Sequence, residues 1–107
     1  MGVEVKVTDN SDKALEELRR KMEMALTAIG ATAEGHAKDY CPVDTGRLRN
    51  SISNTHDDDS AYIGSNVEYA AYVELGTSKR KAKPYLKPAV TQHTAEYKSI
   101  VQEAFKS

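Results

Sequence analysis

The chain has 107 residues, of which 39% are hydrophobic and 29% charged, and its formal net charge is −1. This length limits it to one small domain with a single core over residues 1–107, and the composition excludes global disorder. Cys41 is the only cysteine, which excludes an intramolecular disulfide and a cysteine-based zinc site. No apolar run approaches the roughly 20 residues of a membrane span, so we expect no membrane partner.

The small net charge hides an uneven distribution along the chain. Residues 1–78 carry eight basic and fourteen acidic side chains, whereas residues 79–107 carry seven basic and two acidic ones. Opposite charge on two parts of one chain favours head-to-tail contact between copies, or one face turned toward a polyanion.

The N-terminal region is predicted to contain a strand and then a long helix. Residues 3–8 alternate apolar and polar side chains, which is typical of a half-buried strand. Apolar residues then recur at steps of three and four up to Pro42, which predicts a long amphipathic helix that Gly30 and Gly35 bend or split. Its apolar positions are Leu15, Leu18, Met22, Ala25, Leu26, Ile29, Ala33, Ala37 and Tyr40.

The central region is predicted to form a turn and a hairpin. Residues 41–46 contain turn-forming residues, and Leu48 and Ile52 indicate a short helical turn that runs into a strand. Residues 56–60 are too polar to be buried, so they predict a hairpin tip before a second strand at 61–64.

Two further helices are expected. Ser65 and Glu68 have the spacing of a capping box, and the apolar residues after them predict a short, buried helix that ends at Gly76. From Pro88 to Phe105 the apolar residues again have helical spacing. The sequence thus predicts an α+β fold, with a small antiparallel sheet packed against a long N-terminal helix, a short central helix and a C-terminal helix.

The sequence offers little support for catalysis. Asp44, Thr45 and Gly46 form the tripeptide of aspartic proteases, but Pro42 and Arg47 flank it, which favours a turn in which Asp44 caps the next segment. A minimal aspartic hydrolase remains an alternative, and it predicts that Asp44→Asn abolishes peptide cleavage. No phosphate-binding loop and no nucleophile elbow are present. We therefore expect a protein that is not an enzyme, with no catalytic residue and no cofactor.

Metal binding is not expected either. His36, His56 and His93 are widely separated, and none has the helical spacing of a zinc pair. The acidic run at residues 57–59 lacks the spaced ligands and the glycine of an EF-hand loop.

One cluster of cations lies in a segment without periodicity, and it consists of Lys79, Arg80, Lys81, Lys83 and Lys87. Such a cluster neutralises phosphates, so a small nucleic-acid-binding module that uses residues 79–87 is an alternative function. Only Tyr85 is interleaved as an aromatic residue, so no base-stacking platform is indicated. Pairing with acidic faces of a neighbouring subunit is the favoured role.

Two ordered blocks carry a resemblance to a known family. The first is Pro42-Val43-Asp44-Thr45-Gly46-Arg47-Leu48-Arg49-Asn50-Ser51-Ile52. The second runs from Tyr69 to Thr77 through Glu74-Leu75-Gly76, and continues after the basic loop as Lys83-Pro84-Tyr85-Leu86-Lys87-Pro88-Ala89. Both blocks resemble the small neck proteins (head–tail joining or tail-completion proteins) of long-tailed bacteriophages and prophages, of the lambdoid coliphage type. Leu75 and Tyr85 stand where that family commonly has phenylalanine.

The resemblance implies a structural virion protein, made in the host cytoplasm, that forms a homo-oligomeric ring at the head–tail junction. Its implied partners are other neck, portal-adaptor or tail proteins, with nonspecific contact to DNA in the channel. Gly46 and Gly76 would shape turns, Arg47 and Glu74 would be polar anchors, and residues 77–87 would form an interface loop. The expected interface or structural residues are Asp44, Thr45, Gly46, Arg47, Leu48, Tyr69, Glu74, Gly76, Thr77, Lys79, Arg80, Lys81, Lys83, Pro84, Tyr85 and Pro88.

Overall fold

The computed structural model describes residues 3–42 and 46–106. The elements in chain order are α1 (Val3–Tyr40), α2 (Gly46–Ser51), β1 (Ser53–His56), β2 (Ala61–Gly64), α3 (Ala70–Leu75), α4 (Leu86–Thr91) and α5 (Thr94–Lys106). In the described part of the chain, one two-stranded antiparallel sheet and five helices are present, which confirms the predicted α+β class.

Helix α1 is the scaffold of the molecule. Its 38 residues form one continuous helix through Gly30 and Gly35, about 57 Å long at the usual rise per residue. Ala25, Ala33 and Ala37 are almost fully buried on one face, because small side chains at helical spacing let other elements approach closely. The side chains of residues 12–20 are all exposed. The molecule is accordingly elongated, with extents of 71 × 23 × 21 Å.

The strand predicted at residues 3–8 is wrong, because these residues form the start of α1. An alternating segment becomes a strand only when a partner strand supplies backbone hydrogen bonds, and the described sheet consists of β1 and β2 alone. A helix satisfies its own backbone groups, so α1 continues without a break from residue 3 through the polar residues 9–12.

The predicted hairpin is confirmed, and it lies against α1. β1 pairs with β2 in the register Ser53↔Gly64 to His56↔Ala61. Alternate residues of β1 contact the helix: the Asn54 amide donates to Glu34 at 2.8 Å, and His56 lies 3.0 Å from Glu23. Gly30 lets β1 come this close, since a Cβ there would lie 2.6 Å from Asn54 Oδ1.

The main core lies at the C-terminal end of α1. Its buried residues come from α1, α2 and α4 and from the segments beside them, and they are Ala37, Cys41, Leu48, Ile52, Val67, Tyr85 and Ala89. Leu48 and Tyr85 are the largest fully buried side chains. The short helices are thus held by the surface they bury here rather than by their length.

Three details of the predicted helices are wrong. Ser65 accepts a hydrogen bond from the Val67 amide at 3.1 Å, before α3 begins, and Glu68 forms an ion pair with Arg47, so they make no capping box. α3 buries no residue completely, and Leu75 is 77% exposed. The single C-terminal helix is two helices, α4 and α5, because the chain turns at residues 92–93 and α5 then packs along α1.

No helix among the described residues combines the length and the apolar character that crossing a bilayer requires.

Candidate functional site

The second motif block folds around the carboxylate of Glu74. Its Oε1 accepts hydrogen bonds from the backbone amides of Tyr85 at 2.9 Å and Leu86 at 2.8 Å, and its Oε2 accepts one from Lys87 at 3.1 Å. These amides belong to the first turn of α4, where no helical carbonyl reaches them. Glu74 therefore caps α4 from the distant helix α3, and this contact joins the two halves of the block.

Gly76 makes the turn that brings these halves together. Its φ angle is 76°, a left-handed conformation that L side chains rarely adopt. A Cβ at this position would lie 2.7 Å from the backbone nitrogen of Ala82. The Lys83 amide then donates to the Val73 carbonyl at 2.8 Å, which closes the loop at its base. Glycine is required here for both conformation and space.

The Thr77 hydroxyl stabilises the turn at the start of the loop. Its hydroxyl accepts hydrogen bonds from the backbone amides of Lys79 and Arg80, and backbone hydrogen bonds join Thr77 and Arg80 in both directions. This turn holds residues 77–80 in a defined conformation, so the cations project from an ordered backbone.

Tyr85 anchors the block in the core. Its ring is fully buried, and its hydroxyl donates to the Ala70 carbonyl at 3.2 Å. Burial, together with the nearby Glu74 carboxylate, raises the pKa of Tyr85 to about 12. Pro84 is exposed and Pro88 is half-buried within α4, where its missing amide falls in the first turn and costs no hydrogen bond.

The folded block forms a groove with an apolar floor and a cationic rim. Its volume is about 780 Å³, and it is lined by Pro42, Tyr69, Tyr72, Val73, Thr77, Lys79, Arg80, Lys81 and Lys83. All four rim cations are exposed, as is Lys87 outside the groove. Among the described residues, none of these five cations forms an ion pair with a carboxylate. We call this feature the basic groove.

The first motif block lies next to the basic groove, where Arg47 contacts the groove residue Tyr69. The Arg47 guanidinium forms two hydrogen bonds to the Glu68 carboxylate, at 3.0 and 3.1 Å, and lies 5.6 Å from the centre of the Tyr69 ring. This pairing lowers the pKa of Glu68 and raises that of Arg47. Leu48 is fully buried in the core, and Gly46 begins α2. Asp44 and Thr45 lie outside the described residues, so the structure does not address the predicted turn or the hydrolase alternative.

The structure separates the predicted site residues into two groups. Leu48, Glu74, Gly76 and Tyr85 build and hold the fold, whereas the cations and Thr77 are exposed. Tyr69 belongs to both groups, because it packs against the core and lines the groove. The sequence interpretation missed Tyr72, which is 64% exposed in the groove. It also missed Glu68, which had been assigned to a cap. For Tyr72, the signal in the sequence is an aromatic residue close to a cation-rich loop, a combination that is common at interfaces.

An acidic hairpin tip lies far from this groove. Asp57 accepts hydrogen bonds from the Asp59 and Ser60 amides, at 3.0 and 2.8 Å, and from the Tyr62 hydroxyl at 2.9 Å. These bonds lower the pKa of Asp57, with the Asp59 amide making the largest contribution. The contact of His56 with Glu23 fixes the tip beside that turn of α1, about 25 Å along the helix from the end at Tyr40, where the groove lies.

Two of the widely separated histidines meet in the fold. His36 of α1 and His93, just before α5, stack with ring centres 3.6 Å apart. Glu96 lies beside both rings, and the three side chains are placed so that they could hold a metal ion. The separation of the histidines in sequence was thus a poor guide to their distance in space.

Comparison with known proteins gives one match. A family model described as "Bacteriophage HK97-gp10, putative tail-component" matches residues 6–76 of the 107. The match includes α1 from residue 6 onward, the first motif block, the hairpin and α3, and it ends at the Gly76 turn. Comparisons with curated proteins and with solved structures gave no match. The suspected phage relationship is therefore confirmed: the chain belongs to the HK97-gp10-like family of bacteriophage structural tail components.

Proposed function

We propose that this protein is a non-enzymatic subunit of the bacteriophage head–tail junction and that it acts by forming a ring of identical copies. Family membership supports a structural role in the tail of the virion. Family membership also supports a role without catalysis. The position at the junction and the ring are further parts of the proposal, and the surface of the described chain supports them.

The separation of charge along the molecule carries the proposal. The basic groove lies at the C-terminal end of α1, and the acidic tip at residues 57–59 lies beside Glu23 on the same helix. A ring requires two different surfaces on each subunit that meet head to tail and close by rotation. Opposite charges on separated surfaces orient such contacts and disfavour like-to-like pairing.

The chemistry of the groove suits a neighbouring subunit. Tyr72 and Val73 supply an apolar floor, and Lys79 and Lys81 belong to a rim whose cations have no acidic partner among the described residues. Interfaces typically combine aromatic anchors with a polar rim. We infer that the acidic tip of the next copy approaches this rim.

A charge-swap experiment tests the contact between copies. Lys79→Glu with Lys81→Glu should abolish assembly, as should Asp58→Lys with Asp59→Lys, and the two pairs combined should restore it. Asp57 is left unchanged because it shapes the turn. Lys98→Glu on α5 is the matched control and should assemble normally. Assembly is measured by light scattering and negative-stain imaging of mixtures with bacteriophage portal and tail proteins.

Two results would contradict the proposal. If the protein associates with neither portal nor tail proteins under any condition, the junction role fails. If each reversed pair disrupts assembly and the combination does not recover it, the tip and the rim do not contact each other.

A second candidate function is binding of nucleic acid by residues 79–87. The exposure of all five cations, none paired with a carboxylate in the described chain, favours it. It predicts DNA binding by the isolated subunit that weakens steeply as salt rises. A gel-shift assay at low salt tests this function. If the subunit forms no complex with DNA at low salt, binding of nucleic acid is rejected.

A further inference from the structure

The contact between α1 and α5 contains three side chains with metal-binding chemistry. Glu96 Oε1 lies 2.6 Å from His36 Nε2 and 3.7 Å from His93 Nδ1. The two imidazole planes differ by only 9°. The histidine side chains are 23% and 25% exposed, and that of Glu96 is 48% exposed. The cluster is therefore sheltered but open to an ion from solvent.

We propose that His36, His93 and Glu96 bind one divalent transition-metal ion of the zinc type. Two imidazoles and one carboxylate are ligands that zinc accepts, and three protein ligands leave one position for water. In tetrahedral geometry, ligand atoms about 2.0–2.1 Å from zinc are about 3.3 Å from one another. Of the two distances to Glu96 Oε1, one is shorter and one is longer than this value. One possible ligand atom from each of the three residues lies within 4.8 Å of the other two. Because the two rings are stacked, both imidazoles must tilt out of their parallel arrangement so that their lone pairs converge with the Glu96 carboxylate on one ion.

Tyr40 supplies the supporting contact that a metal-binding histidine needs. Its hydroxyl lies 3.0 Å from His93 Nε2. When the neutral imidazole carries its proton on Nε2, that N–H donates to the tyrosine oxygen and the lone pair of Nδ1 faces Glu96. Hydrogen bonds of this kind fix the tautomer and orientation of ligating histidines.

Metal binding at this position would join the scaffold helix to the C-terminal helix. His36 belongs to α1, whereas His93 and Glu96 belong to the turn before α5 and to its first turn. An ion held by both elements binds the folded chain only, so it stabilises the fold. This inference does not depend on the proposed ring, because none of the three cluster residues lines the basic groove.

The test is zinc binding by the full-length chain without an affinity tag. Competition with a chromophoric chelator should give one zinc ion per chain, and cobalt substitution should give the visible absorption of a low-coordinate site with nitrogen ligands. His36→Gln and His93→Gln should each lower zinc affinity at least about tenfold. His56→Gln is the matched control: His56 also contacts a carboxylate, that of Glu23, but stacks on no second imidazole. Its affinity should equal that of the wild type.

The competing explanation is a simple ion pair between a protonated histidine and Glu96. In that case the wild type would bind zinc no more tightly than His36→Gln, and the proposal would be overturned. Equal loss in His56→Gln would also overturn it, because zinc would then be binding surface histidines in general. If circular dichroism shows that a histidine variant is unfolded, Glu96→Gln replaces it. Unchanged zinc affinity in a folded Glu96→Gln would reject the site.

Discussion

Two glycines illustrate opposite constraints on single residues. Gly76 has a positive φ and no room for a side chain, whereas Gly35 lies inside α1 with open space where a Cβ would be. Gly76→Ala should destabilise the fold by about 2 kcal/mol or more, because it forces a left-handed conformation and a backbone clash. Gly35→Ala should stabilise the fold by about 0.5–1 kcal/mol through helix propensity.

Urea unfolding followed by circular dichroism measures both variants. The same substitution is made in each, so they control for one another. If Gly76→Ala were neutral, the turn at this position would not have the conformation described.

Tyr85 should make stability depend on alkaline pH. Its pKa is raised from 10.0 to about 12, because burial disfavours the ionised ring. The folded state therefore holds this proton more tightly than the unfolded state, and stability from this group is complete below pH 10 and is lost as pH rises toward 12.

Tyr85→Phe tests this expectation. The variant should lose one late-ionising tyrosine in a titration followed by ultraviolet absorbance, and its stability should fall less steeply above pH 10. Tyr62→Phe, at an exposed position on β2, is the control and should leave the late phase intact. An unchanged late phase in Tyr85→Phe would show that another tyrosine accounts for it.

At the scale of the elements, α4 depends on a contact from outside itself, the hydrogen bonds that Glu74 of α3 accepts from its first amides. Glu74→Gln keeps the shape of the side chain but replaces one accepting oxygen with a donor that faces a backbone amide. We expect the fold to lose about 1.5–3 kcal/mol, the range for hydrogen bonds to a charged group. Glu68→Gln is the matched control and should change stability little, because its ion pair with Arg47 is exposed. Thermal unfolding compares the two, and equal effects would contradict a special role for Glu74.

The elements also show what sequence patterns can predict. The apolar repeat from Leu15 to Ala37 identified α1, and the polar run at residues 56–60 identified the hairpin tip, since both signals are local. The alternation at residues 3–8 failed because a strand needs a partner that the pattern does not contain. Residues 92–93, which separate α4 from α5, contain no glycine or proline that would predict the end of a helix. It follows from packing on α1, where His93 stacks on His36.

Prediction of the site from sequence was limited in the same way, because local patterns do not contain contacts between separate segments. The motif blocks pointed to Glu74 and Gly76, but not to the carboxylate–amide contacts that explain them, because those contacts join residues on opposite sides of a loop. The cations of the groove were visible in the sequence. The apolar floor beneath them depends on the orientation of α3 in the fold. We did not predict it, because we expected the apolar side chains of α3 to be buried.

At the scale of the whole molecule, residues 12–20 of α1 form an exposed surface that neighbours can contact. Leu15 and Leu18 are each 49% exposed on this segment. Leu15→Gln with Leu18→Gln should leave the stability of the isolated subunit almost unchanged, since helix propensity is similar and little packing is lost. The pair should weaken assembly, which sedimentation with the partner proteins measures. Glu16→Gln, on a neighbouring face, is the control, and an equal effect of both changes would exclude a specific apolar contact.

The exposure of the side chains of residues 12–20 lowers the stability of the helical backbone in this segment. No element in the described ranges, 3–42 and 46–106, covers this part of the helix, and a helix without tertiary support is only marginally stable in water. Its amides should exchange with deuterium much faster than those near Ala33 and Ala37 in the free subunit. In the completed particle the same amides should slow, so the exchange rate of this segment would record whether each copy has been incorporated.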